Sequence, residues 1–151
     1  MQSEAPVAPM RERVERLQDS MLARPQVDCP VTERFIEGLY AREIRIPAGT
    51  VLIGAVHKAE SIVVLSAGRL ELVTEAGVVE ISAPHTLVCK PGTKNAALAL
   101  EDAVWTNFFP TTETDPRKLV ELLTYSTADE LLGGSKNPQL AAHRAAEIAE
   151  V

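Results

Sequence analysis

Aromatic residues are scarce in this chain, with one Trp, two Tyr and three Phe among 151 residues. A core must therefore be built from Val, Leu, Ile and Ala, and an apolar fraction of 46% supplies enough of them. Cysteine is nearly absent as well. Cys29 and Cys89 stand far apart and outside any CxxC or metal-finger spacing. Two free, partly buried thiols in a reducing compartment are the expectation, with a single long-range disulfide as the alternative. No apolar run approaches 18 residues, so no membrane span is expected. The first stretch, MQSEAPVAPMRERVERLQ, has no apolar signal segment, which predicts a protein made and used in a cytoplasm or carried by a particle assembled there. A clustered basic face is missing too. The net charge is −6 and the pI about 5.1. That excludes a binder of nucleic-acid phosphates and fits an ordinary acidic, soluble surface. There is no internal repeat.

What is there is a cadence. Across residues 40–110, short apolar runs alternate with turn signals every eight to ten residues or so, as in a small all-β sandwich or barrel. Strands are expected at 40–46, 50–56, 61–65, 69–74, 78–82, 86–89, 95–100 and 104–109. The RLELVT run alternates cleanly, with Leu70 and Leu72 on one face. The EAG hairpin puts a glycine where a left-handed residue is wanted, and KPGT is a strong turn.

The flanks change period. Met10, Val14, Leu17 and Met21 recur at helical spacing, with charges on the other faces. A short amphipathic helix of this kind is marginal alone, so its stripe is expected to contact the barrel or another subunit. Residues 23–30 form a proline-bounded connector, and Phe35 in the 31–38 stretch is an expected anchor onto the barrel. Asp115-Pro116 reads as a helix cap and first turn. Leu119, Val120, Leu122 and Leu123 give that helix an apolar face. Further helices are expected near 128–132, before Gly133-Gly134, and over 140–151. This divides the chain into an arm at 1–38, a β domain at 39–110 and a helical extension at 111–151.

Gly49, His57, Glu60 and Gly68, followed by Pro91-Gly92, resemble the paired motifs of the cupin superfamily. The segments PQVDCP, REIRIPAGT, the Ala83-Pro84 pair, KPGTK, VWTNFFPT and ETD are similar to small single-domain cupin-like proteins of tailed bacteriophages. The resemblance covers about residues 38–125. It implies a mainly β fold, a single cupin-type jelly-roll β-barrel with flanking N-terminal and C-terminal helices.

A metal cupin needs three or four imidazole and carboxylate donors converging on one barrel mouth. Here the set is depleted. His57 matches the first-motif histidine region. Ser61 stands where the phage relatives carry a second histidine. Asn95 lies near the second-motif histidine, and Phe109 takes a place where several of them have histidine. The residual candidates for a divalent transition metal are His57, Glu60 and His85, with Cys89 as an extra ligand or a small buried apolar residue. His143 falls outside the resemblance. Ser61, Asn95, Trp105 and Phe109 are candidate pocket-lining residues, Trp105 having core as its bland role.

No nucleophile elbow or phosphate-binding loop is present. The expected function is a non-catalytic interaction module with no cofactor. It would be a phage virion or accessory subunit, head-decorating or tail-associated, in the particle or the host cytoplasm. It would assemble with copies of itself and other phage structural proteins through its arms, Met10, Val14, Leu17 and Met21 forming the interface. The competing readings are a metal-binding cupin enzyme or ligand sensor working at the barrel mouth, and a binder that sequesters a host metabolite.

Overall fold

The computed structural model describes residues 9–74 and 76–128. Among the described residues, nine strands form two antiparallel sheets, flanked by two helices. The eight strands expected from the cadence are all there: β2 (Leu39–Ile46), β3 (Val51–Ile53), β4 (Ser61–Ala67), β5 (Arg69–Thr74), β6 (Gly77–Ser82), β7 (His85–Cys89), β8 (Ala96–Ala99) and β9 (Ala103–Pro110). A further strand, β1 (Val31–Ile36), precedes them where only an anchoring segment was expected. The helices are α1 (Met10–Leu22) and α2 (Pro116–Leu123). Those expected near 128–132 and over 140–151, and His143, lie outside the described residues, apart from Ala128.

The ladders are nested. β5 pairs with β6, β4 with β7, β3 with β8 and β2 with β9, all antiparallel. The chain is thus one long two-stranded ribbon whose tip is the β5–β6 hairpin. The additional ladders β4–β9 and β5–β8 join successive turns as the ribbon rolls up. The result is sheet order β1-β2-β9-β4-β7 facing β3-β8-β5-β6, which is the double-sheet solution of a jelly roll. The expected barrel is corrected in one respect. The two sheets are not closed into a ring, and β1, β7, β3 and β6 are left as edges.

Period-2 alternation puts Val63 and Leu65 of β4, Ile44 and Ile46 of β2, and Ala103 and Trp105 of β9 between the sheets, with Leu70, Leu72 and Ala99 from the second sheet. Val63, Leu65 and Leu70 are completely buried. At the passage from β4 to β5, Gly68 has φ +85°, and a Cβ there would lie 2.7 Å from Ala103 Cα. Glycine alone lets the chain cross between sheets this close to the β8–β9 turn.

The arms attach at different places. Phe35 of β1, expected as an anchor, stacks on Tyr40 with centroids 5.0 Å apart but remains exposed. In α1, Val14 is buried and Leu17 exposed, while Met10 and Met21 are half-buried. Part of the expected interface stripe is therefore seated on its own chain. In α2, Asp115 caps the helix by accepting from the Arg117 amide at 2.9 Å. Leu119 and Leu123 turn inward, but Leu122, expected on the same face, is exposed.

Candidate functional site

The end of the roll where β4 begins and β9 ends is the place to look for chemistry. Residues 54–60 pass there from the second sheet to the first. They are clamped by main-chain bonds. The Lys58 amide donates to the Leu123 carbonyl at 2.8 Å, the Tyr125 amide to the Val56 carbonyl at 3.0 Å, and the Gly92 amide to the His57 carbonyl at 2.9 Å. His57 thereby makes an isolated bridge to Thr124, just beyond α2.

The His57 ring meets the Phe109 ring edge-on, with centroids 5.2 Å apart and planes at 81°. Phe109 stacks in turn on Tyr40. Leu119 and Leu123 of α2 complete this buried cluster. Burial, and secondarily the positive charge of Arg42, hold the His57 pKa below its ordinary value. Arg42 lies on β2 directly opposite Asn107 of β9, on the inward parity.

Beneath Phe109 runs a string of buried polar side chains. The Trp105 indole N–H donates to Asn107 Oδ1 at 2.7 Å, and Asn107 Nδ2 donates to Ser61 Oγ at 3.0 Å. Ser61 hydrogen-bonds the Cys89 thiol, to which Asn95 Nδ2 also donates at 3.6 Å. Burial pushes the Cys89 pKa up, against the smaller opposite effect of Asn95 and Ser61. Both cysteines are free thiols. Among the described residues, the one buried side-chain polar atom without a hydrogen bond is Nε of Arg69, on β5 at the other end of the roll, which lies 3.5 Å from Oε1 of Glu101 in the β8–β9 turn. The string is therefore internally satisfied, as buried polar groups must be.

The three metal candidates are not brought together. His57 faces Phe109. Glu60 is exposed and pairs with Lys90 Nζ at 3.0 Å on the surface. His85, expected in a bend, is the first residue of β7 and sits opposite Leu65. Ser61 is four residues back along the same strand, about 13 Å away at the usual rise per residue. The β4–β7 register therefore puts His85 at the opposite end of the roll from His57. Among the described residues, no group of three His, Cys, Asp or Glu side chains could hold a metal ion. A transition metal needs three or four donors near 2.0–2.3 Å. The side chains gathered at this end, Ser61, Asn95, Asn107, Cys89 and Phe109, are the wrong donor set for the divalent ion that the resemblance allows.

The expected pocket is corrected likewise. Ser61, Trp105 and Phe109 are buried and fill the interior. Asn95 does border a concavity, of about 340 Å³, but this lies outside, beside α1. Asn107 and Arg42 went unnoticed as members of the site. Their signal was available: a polar residue on the apolar parity of β9 and of β2.

No family model matches the chain, and no curated protein matches it. Solved structures similar to it include several cupin-domain proteins. The cupin-2 domain of an XRE family transcriptional regulator from Enterobacter cloacae is 14% identical with a TM-score of 0.47, over 55% of this chain and 98% of that one. A cupin domain from Bordetella pertussis is 20% identical with a TM-score of 0.45, over 58% and 96%. A putative ethanolamine utilization protein Q from Salmonella typhimurium is 9% identical with a TM-score of 0.49, over 58% and 72%. None of these three is described as a phage or virion protein. At such values the likeness assigns neither ligand nor activity, and the jelly-roll reading stands on the nested ladders.

Proposed function

We propose that this chain is a non-catalytic, cupin-like interaction module whose working surfaces lie outside the roll. One observation carries the reading. The end where a cupin-type mouth would open is plugged by His57 on Phe109, roofed by Leu119 and Leu123, and floored by the satisfied Trp105–Asn107–Ser61 string. A substrate would have to displace packed aromatic and aliphatic groups to reach any polar atom inside.

The outside offers surface in exchange. Val88, Ile62, Phe108 and Ala41 are cross-strand neighbours in one row over β7, β4, β9 and β2. Ile62 and Val88 are each 52% exposed. Apolar rows of this kind suit protein contacts. The finer assignment, a phage particle subunit that assembles with itself and with other structural proteins, rests on the sequence resemblance alone.

Metal analysis and light-scattering mass of the purified chain test the reading together. The expected result is substoichiometric iron, zinc and manganese in an oligomer, and recovery of the chain with purified virus particles. Stoichiometric metal that is lost in His57→Ala would overturn it.

A further inference from the structure

β6 is a free edge of the second sheet. Its six residues, GVVEIS, hold no proline and no lysine, and they pair with β5 without a bulge. Those are the devices by which natural edges turn away a further strand. The other edges are guarded. β3 is three residues long, β1 carries Glu33 and Arg34, and β7 is bracketed by Pro84 and Lys90.

The core runs out at this edge. Val79 and Ile81 stand opposite Leu72 and Leu70 of β5, two core residues, and so lie on the core side of the sheet. Val79 is nevertheless 41% exposed, because no strand lies beyond β6 to cover it. Val78 and Glu80 lie on the outer side, and Val78 is 64% exposed. Glu80, the one charged residue of the strand, is held by Arg69 of β5 at 3.0 Å. Glu71, opposite Glu80, belongs to β5, one strand back. The edge therefore calls for an extended strand with an apolar residue on the core side and no unmatched charge.

β6 of a second copy meets both conditions. In an antiparallel pair about a two-fold axis normal to the sheet, opposed residues share a face, so the axis passes through a residue. An axis through Glu80 would oppose two carboxylates, which is unfavourable. An axis through Val79 opposes Val79 to its own copy, Val78 to Glu80 and Gly77 to Ile81. No like charges then face each other, and the core sides of the two sheets become continuous. We infer that two copies of this chain join β6 to β6 about an axis through Val79, making their four-stranded sheets one. The inference rests on the reading of the chain as an interaction module and gives that module a partner, a second copy.

The test compares the light-scattering mass of the full chain with that of Val79→Lys, Val79→Glu and Val79→Cys, with far-UV circular dichroism to confirm folding. The parent is expected to be a dimer. Val79→Lys and Val79→Glu each oppose a charge to its own copy and should weaken the dimer at least about tenfold. An equimolar mixture of the two should restore it, because opposite charges then meet at the axis. Val79→Cys is close to valine in size and decides the matter if the charged variants do not fold. With oxidised glutathione it should link two copies through position 79, which the parent with Cys29 and Cys89 should not do. A monomeric parent, an unchanged mass in both charged variants, a mixture that stays monomeric, or no link at position 79 overturns the β6 pairing. Stoichiometric metal lost in His57→Ala would instead overturn the module reading, and the two failures are read from separate measurements.

Discussion

Asn107→Leu removes the centre of the buried polar string while keeping a side chain of similar size. Two groups lose their partners. The Trp105 indole N–H, bonded at 2.7 Å, is left without an acceptor in a side chain 9% exposed. Ser61 Oγ loses its donor at 3.0 Å but can still bond the Cys89 thiol. An orphaned buried group costs about 1–3 kcal/mol. Trp105 should stand near the middle of that range and Ser61 at its lower end, for a total of about 2–4 kcal/mol. For a domain of this size that lowers Tm by on the order of 10 °C. Urea unfolding at 25 °C, followed by far-UV circular dichroism and by the fluorescence of Trp105, the sole tryptophan, measures the loss. Ser61→Ala completes a double-mutant cycle. Members of one network should couple by at least about 0.5 kcal/mol. A loss below about 0.5 kcal/mol in Asn107→Leu, or strict additivity with Ser61→Ala, would refute the view that this string closes the interior.

Phe109→Ala removes the ring that joins His57, Tyr40 and α2. It should cost about 3–5 kcal/mol and increase hydrogen exchange in residues 116–125 more than in β4. The His57 pKa is held below its unfolded value near 6.5. Above that pH the ring is neutral in both states and its contribution is complete. As the pH falls below it the unfolded chain gains a proton that the folded chain resists, so stability falls until the pH passes the folded pKa. Tm measured between pH 7.5 and 4.5 should show this slope, and His57→Gln should remove that component. Gly68→Ala meets both a left-handed φ and the backbone of Ala103; a loss above about 2 kcal/mol is expected in urea unfolding. Glu60→Gln breaks an exposed pair with Lys90 and should change stability by less than about 1 kcal/mol.

Read alone, the sequence determined the elements. Side chains alternate with period 2 along a strand, and Gly49, Gly68 and Gly92 mark turns where φ is positive. Those signals are local, so all eight strands of residues 40–110 and the capped α2 were legible. β1 was not, because VTERFI mixes apolar and charged residues on both faces and is held by pairing with β2.

The tertiary structure alone decided which residues meet. Nested pairing joins Leu39 to Pro110 and Ser61 to Cys89, and no local spacing encodes such a register. His57 and His85 could be read as partners because both lie beside strands, yet the roll sends them to opposite ends. The same register stacks Phe109 against His57 and sets Asn107 beside Ser61, so the end weighed as a residual metal mouth is a packed plug. Spacing along a chain sets the period of each element. The end of the fold that a side chain reaches is set by contacts between strands far apart in sequence.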